Sequence, residues 1–226
     1  MPKIHFNTMV IGTFQRLFGI DAFLDAIDAA IPTLEAKENQ DLEHLAVQEG
    51  WERSDYYIEK VDLDAKFRNW VPNYATYSII ILLYSVLETQ LFAFAEHLGK
   101  KQNAKLRVKH LAGKGVEQAA SYLEHVVPFP VKSDQVWPLL KDLQLLRNIV
   151  VHRGGNPGAS KDDQKAVDGL IQKYPSKLAL HKADGMHDQI WISMNLCRDF
   201  AREIDGFFVR IFRLAGLPNR SGQMDS

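Results

Sequence analysis

Arg147-Asn148-Ile149-Val150-Val151-His152 puts a guanidinium, an amide and an imidazole on one short segment, just ahead of Gly154-Gly155. These groups suit a phosphodiester. Arginine grips phosphate oxygens through a planar, bidentate fork. Histidine can give or take a proton near neutral pH. RNA is cut without metal when its 2′-hydroxyl attacks the adjacent phosphorus. That step needs a base for the hydroxyl, a cation for the phosphorane oxygens and an acid for the leaving 5′-oxygen. One such segment supplies a single imidazole, whereas the reaction wants two proton-transfer groups. A twofold dimer that pairs two segments would supply both.

With 11 Arg and 8 His, an Arg followed at loose spacing by a His is expected about once by chance. Requiring Asn directly after the Arg and His five positions on lowers that to roughly 0.02. The placement is also specific. Ser133 or Asp134 can cap a helix over about 134–152, with Pro138 near its first turn. Leu139, Leu140, Leu143, Leu146, Ile149 and Val150 are its core positions, and the Gly-rich stretch 154–158 stops it. Asn148 and His152 share a face, while Arg147 lies roughly 140° around from His152. The alternative is structural: Arg and His at a helix C-terminus also satisfy free carbonyls and the helix dipole.

The remaining elements read as helices too. Residues about 10–36 form an amphipathic region in which Pro32 is expected to kink or restart the helix. In 40–66, Leu42, Leu45, Val47, Trp51, Tyr56, Ile58 and Val61 are expected to form one buried stripe, interrupted at Gly50. Pro72 and Asn73 are expected to open a central buried helix that Gly99 closes. A short helix is expected at 115–126 and another at 161–173, started by a Ser160/Asp163 capping box. Two short strands flank Asp184-Gly185, and a last helix runs over about 194–215.

The segment ending in RNIVVH resembles the signature helix of the HEPN superfamily (higher eukaryotes and prokaryotes nucleotide-binding). That signature is an Arg, a polar residue and a His after four to six intervening positions, and Arg147, Asn148 and His152 fit it. The apolar frame around Glu88 (YSVLETQLFAF) is similar to the first long core helix of that family. The likeness covers about 70–215. It implies an all-α, HEPN-like bundle at 67–217; residues 1–66 have no counterpart in it and read as an added helical extension, and 218–226 as a disordered tail. It also implies a metal-independent endoribonuclease of toxin–antitoxin or antiviral type, with two motifs paired across a homodimer. Arg147, Asn148 and His152 would be catalytic and Glu88 a supporting group. Some members of the family are catalytically silent, so a helical module binding a protein partner or nucleotide is the alternative. His152-Arg153-Gly154 lacks the His-x-Tyr of the subgroup modified by a nucleotidyltransferase.

Bulk composition sets limits. The formal charge is −1, so any anion site must be a local patch. Residues 100–114 are such a patch: Lys100, Lys101, Lys105, Arg107, Lys109 and Lys114 occur there with no acid. With Arg153 they are candidate RNA contacts, the alternative being a solvated loop. Neither paired cysteines nor a His-Glu-x-x-His pattern points to a metal, and no cofactor is expected. The single Cys197 and the absence of a secretory leader pattern suggest a cytoplasmic protein. The longest apolar run, 79–84, is too short to span a membrane. Expected partners are RNA, a second copy and an antitoxin or regulatory protein.

Overall fold

A computed structural model describes residues 7–158, 160–181 and 188–218. The protein is all-α with one small β-hairpin. Its helices are α1 (Thr8–Glu49), α2 (Arg53–Ala65), α3 (Val71–Lys101), α4 (Gly115–His125), α5 (Trp137–Arg153), α6 (Lys161–Lys173) and α7 (Met194–Leu214). Strands β1 (Leu178–His181) and β2 (Gln189–Ile192) pair antiparallel, with Leu178 opposite Ile192. Asp184-Gly185 between them and the tail from 219 onward lie outside the described residues.

Helix α3 is the centre, as its all-round apolar sequence requires. It packs against α1, α4, α5 and α7. Ile79, Ile80, Leu83, Leu87, Leu91 and Phe94 are at 0% exposure. By length and composition the run Arg53–Lys101 is apolar enough to cross a membrane, and 56% of its most apolar window is buried inside the bundle. Helix α7 presses a phenylalanine row onto this centre. The Phe212 ring stands 5.5 Å from Phe94, 5.5 Å from Phe208 and 5.9 Å from Phe14.

Three expectations are corrected. Helix α1 continues through Pro32, which is exposed beyond the packed part of the helix, where one lost bond is tolerable. The stripe expected in 40–66 is not buried. Helix α2 has no buried residue, and Val47, Ile58 and Val61 are 85%, 60% and 46% exposed. The interruption does fall at Gly50, a left-handed cap (φ 65°). Pro72 does stand in the first turn of α3, as expected, but no loop precedes it. A π turn at Lys66–Trp70 joins α2 to α3, and its wide Val71 N–H to Lys66 O bond accommodates the proline. Gly99 does not close α3, which runs on to Lys101. Its missing side chain admits Tyr122, whose hydroxyl sits 2.1 Å from where a Cβ would be and donates to Leu106 O.

Only the first half of α1 joins the core, through Val10, Leu17, Ile20 and Leu24 together with the buried bond from Thr13 Oγ1 to Gln90 Oε1 (2.9 Å). Arg198 of α7 then holds Asp25 and Asp28. Beyond that clasp the rest of α1 and α2 form a hairpin of their own.

Candidate active site

Helix α5 carries the Arg–His motif, and its two ends fix where the motif points. At the start, Asp134 Oδ1 accepts the Val136 N–H (2.9 Å) while Arg210 of α7 grips both carboxylate oxygens. At the end, Gly154 adopts φ 59° and Gly155 φ 89°. A Cβ on Gly155 would lie 1.9 Å from Tyr77 Oη, so a side chain is sterically barred there. The Tyr77 hydroxyl donates to Ile190 O (2.6 Å), and the Ile190 N–H donates to Gly155 O (2.9 Å). The glycine break after the motif is therefore locked to both α3 and the β-hairpin.

Leu140, Leu143, Leu146, Ile149 and Val150 are buried, so the opposite side of α5 faces outward. Lys141, Gln144, Asn148 and His152 recur there at three- and four-residue intervals and form one polar stripe. Arg147 sits between this stripe and α3. Its Nη1 donates to Asn148 Oδ1 (3.0 Å), and its guanidinium lies 5.2 Å from the centre of the Tyr84 ring. A cation over an aromatic face is worth about 1 kcal/mol, enough to bias a long side chain toward one orientation. Tyr84 Oη in turn accepts from Gln144 Nε2 (3.3 Å), and Lys141 Nζ donates to Gln144 Oε1 (2.7 Å). Burial raises the Tyr84 phenol above its ordinary value. The Glu88 charge adds to this, while the Val116 amide, Arg147 and Gln144 oppose it. Tyr84 thus stays a neutral phenol beneath the guanidinium.

The structure brings Arg147 and Asn148 into contact. His152 is exposed one turn further along the stripe and makes no hydrogen bond among the described residues. Glu88 is half-buried one turn beyond Tyr84 and forms no ion pair with Arg147. It faces the start of α4 instead, where a Cβ on Gly115 (φ 63°) would be 2.9 Å from Glu88 Oε1 and 3.0 Å from Tyr84 Oη.

The candidate RNA contacts divide. Arg153 donates to Pro157 O (2.9 Å) and Asp163 Oδ1 (2.8 Å), clasping the end of α5 to the start of α6. The Ser160 hydroxyl and Arg153 hold the Asp163 carboxyl below its ordinary value. Arg107 is paired with Glu96 (2.7 Å). Lys100, Lys101, Lys105 and Lys109 are exposed. Lys100 stands about 24 Å along α3 from Tyr84, at 1.5 Å per residue. The chain then returns, and exposed Lys114 caps α4 beside Gly115, next to Tyr84 and Glu88.

Sequence reasoning did not select Tyr84 or Gln144 as site residues. For Gln144 a signal existed: it lies four positions before Asn148 and eight before His152. Tyr84 carried none, since only the packing of α3 against α5 brings it to Arg147. Cys197 is buried, and burial pushes its thiol up to about 12, as fits a packed thiol. Among the described residues no group of three or more His, Cys, Asp or Glu stands close enough to hold a metal ion. No family model matches the chain, and neither the curated proteins nor the solved structures yield a match.

Proposed function

We propose that the protein is a cytoplasmic, metal-independent endoribonuclease of HEPN type, acting as a toxin or antiviral-defence effector. The observation that carries this reading is the state of Arg147. Arg107, Arg153, Arg198 and Arg210 are each tied to a carboxylate. Among the described residues Arg147 is oriented by neutral groups only, Asn148 and Tyr84, so its charge remains available to an anion. An exposed imidazole stands on the adjoining face.

In the proposed reaction His152 takes the proton of the 2′-hydroxyl, and the 2′-oxygen attacks phosphorus. Arg147 neutralises the phosphorane oxygens, with Asn148 fixing the guanidinium plane. The bond from phosphorus to the 5′-oxygen breaks, leaving a 2′,3′-cyclic phosphate and a 5′-hydroxyl. The 5′-oxygen takes its proton from the corresponding imidazole of a second copy. Val151 in the motif and Ile81, one turn before Tyr84 on α3, are 43% and 37% exposed and are apolar candidates for that twofold contact. Lys114 borders the same surface and is suited to a flanking phosphate.

The test is cleavage of labelled RNA in the presence of a chelator. Wild type should release cyclic-phosphate ends, and His152→Ala should cut the rate by about 10²–10⁴-fold. His152 is exposed and unbonded, so its unfolding midpoint should not move. Cleavage that survives His152→Ala, or that requires added Mg²⁺, rejects the mechanism. A second reading is a catalytically silent module that binds a protein partner, and the uncovered α1–α2 hairpin favours it. Intact RNA at every protein concentration would select that reading.

A further inference from the structure

The outer half of α1, α2 and the start of α3 enclose an open groove of about 810 Å³. Its floor is apolar: Leu42 and Leu45 from α1, Leu63 from α2, and Trp70, Val71 and Tyr74 at the π turn and beyond. Trp70 and Tyr74 are 56% and 63% exposed at one end and Leu45 is 42% exposed at the other. Exposed aromatics on an open groove are unusual for a surface without a partner.

Charge marks both edges. Between residues 34 and 65 ten Asp and Glu face three Lys and Arg. Glu38 is already paired with Lys66. Asp41 on the α1 edge and Glu59 and Asp62 on the α2 edge have no ion pair among the described residues. Carboxylates therefore flank the apolar floor on two sides and do not converge on one point, so a compact ligand would not meet them together. From Glu38 to Leu45 the groove follows α1 for about 10 Å, close to two helical turns. The complementary object is elongated, apolar along a central stripe and basic on both flanks. That is the pattern of a basic amphipathic helix with anchors at i, i+3/i+4 and i+7.

We propose that this groove is the docking site for a basic amphipathic helix of another protein. The proposal is independent of the ribonuclease reading, because the groove and the Arg147 site are built from different residues.

The probe is a synthetic 16-residue helical peptide with a leucine stripe flanked by lysines, titrated into the full-length protein by fluorescence anisotropy. Two control peptides are used, one with the lysines replaced by glutamates and one with the same composition but the stripe scrambled. The stripe peptide should bind at least about tenfold more tightly than either control. The combined Asp41→Lys, Glu59→Lys and Asp62→Lys variant should lose that preference at an unchanged melting temperature, since these side chains are unpaired. Trp70→Ala should weaken binding in the same assay, which keeps the test valid if the triple variant does not fold. Equal binding of the scrambled peptide would reduce the effect to nonspecific charge attraction and overturn the proposal. So would sedimentation showing a dimer that Trp70→Ala dissolves, because a second copy would then fill the groove.

Discussion

The bundle and the α1–α2 hairpin are built from equally helical sequence, yet they spend their apolar side chains differently. In α7 nine residues are buried, among them Phe200, Phe207, Phe208 and Phe212. Along the rest of α1 beyond Leu24, and throughout α2, no residue is buried. The bundle's large side chains have been withdrawn from water and stabilise the fold. Of the hairpin's, Leu42, Leu45 and Leu63 line a groove, while Val47, Ile58 and Val61 lie exposed elsewhere on it. Stability should therefore be concentrated in the bundle and tolerance in the hairpin.

Substitutions can break or sharpen this contrast. Phe212→Ala removes a ring that touches three others, and should cost about 3–5 kcal/mol in urea unfolding. A cost near zero would mean the aromatic row is not the core it resembles. Gly155→Ala forces a Cβ into the Tyr77 hydroxyl at a positive φ, and should cost about 2–3 kcal/mol. Pairing it with Tyr77→Phe should cost somewhat less than the sum of the two single changes, because the closest clashing atom leaves with the hydroxyl, although the ring carbons Cζ and Cε2 still crowd the Cβ.

Asp134→Asn comes next, at about 1–2 kcal/mol at neutral pH. Burial alone would raise the Asp134 carboxyl, but Arg210 and the Val136 amide outweigh it and hold the carboxyl below its ordinary value. A group lowered on folding contributes stability above its unfolded value, and that contribution is lost as pH falls through the folded one. Wild type should thus lose stability below about pH 4, and Asp134→Asn should flatten that part of the acid limb in urea titrations. Val47→Ser, at a hairpin position 85% exposed, should stay within about 0.5 kcal/mol of wild type. A larger loss would show that the hairpin is held by contacts beyond those seen here.

The residue pattern alone determined the helical class, the β-hairpin and the boundaries of α4, α6 and α7 to within a residue or two, because period and capping residues act locally. It also placed Arg147, Asn148 and His152 at the end of an apolar helix. Tertiary structure decided what those residues touch. Arg147 rests on Tyr84 and Asn148 rather than on Glu88, since the orientation of a long cation depends on which face of α3 lies beside α5. Packing likewise decided that Gly99 is a notch for Tyr122 and that Leu42 and Leu45 floor a groove instead of a core. An apolar side chain signals only that it can be buried. Whether it is depends on what other part of the chain arrives to cover it, and over the hairpin none of the described residues does.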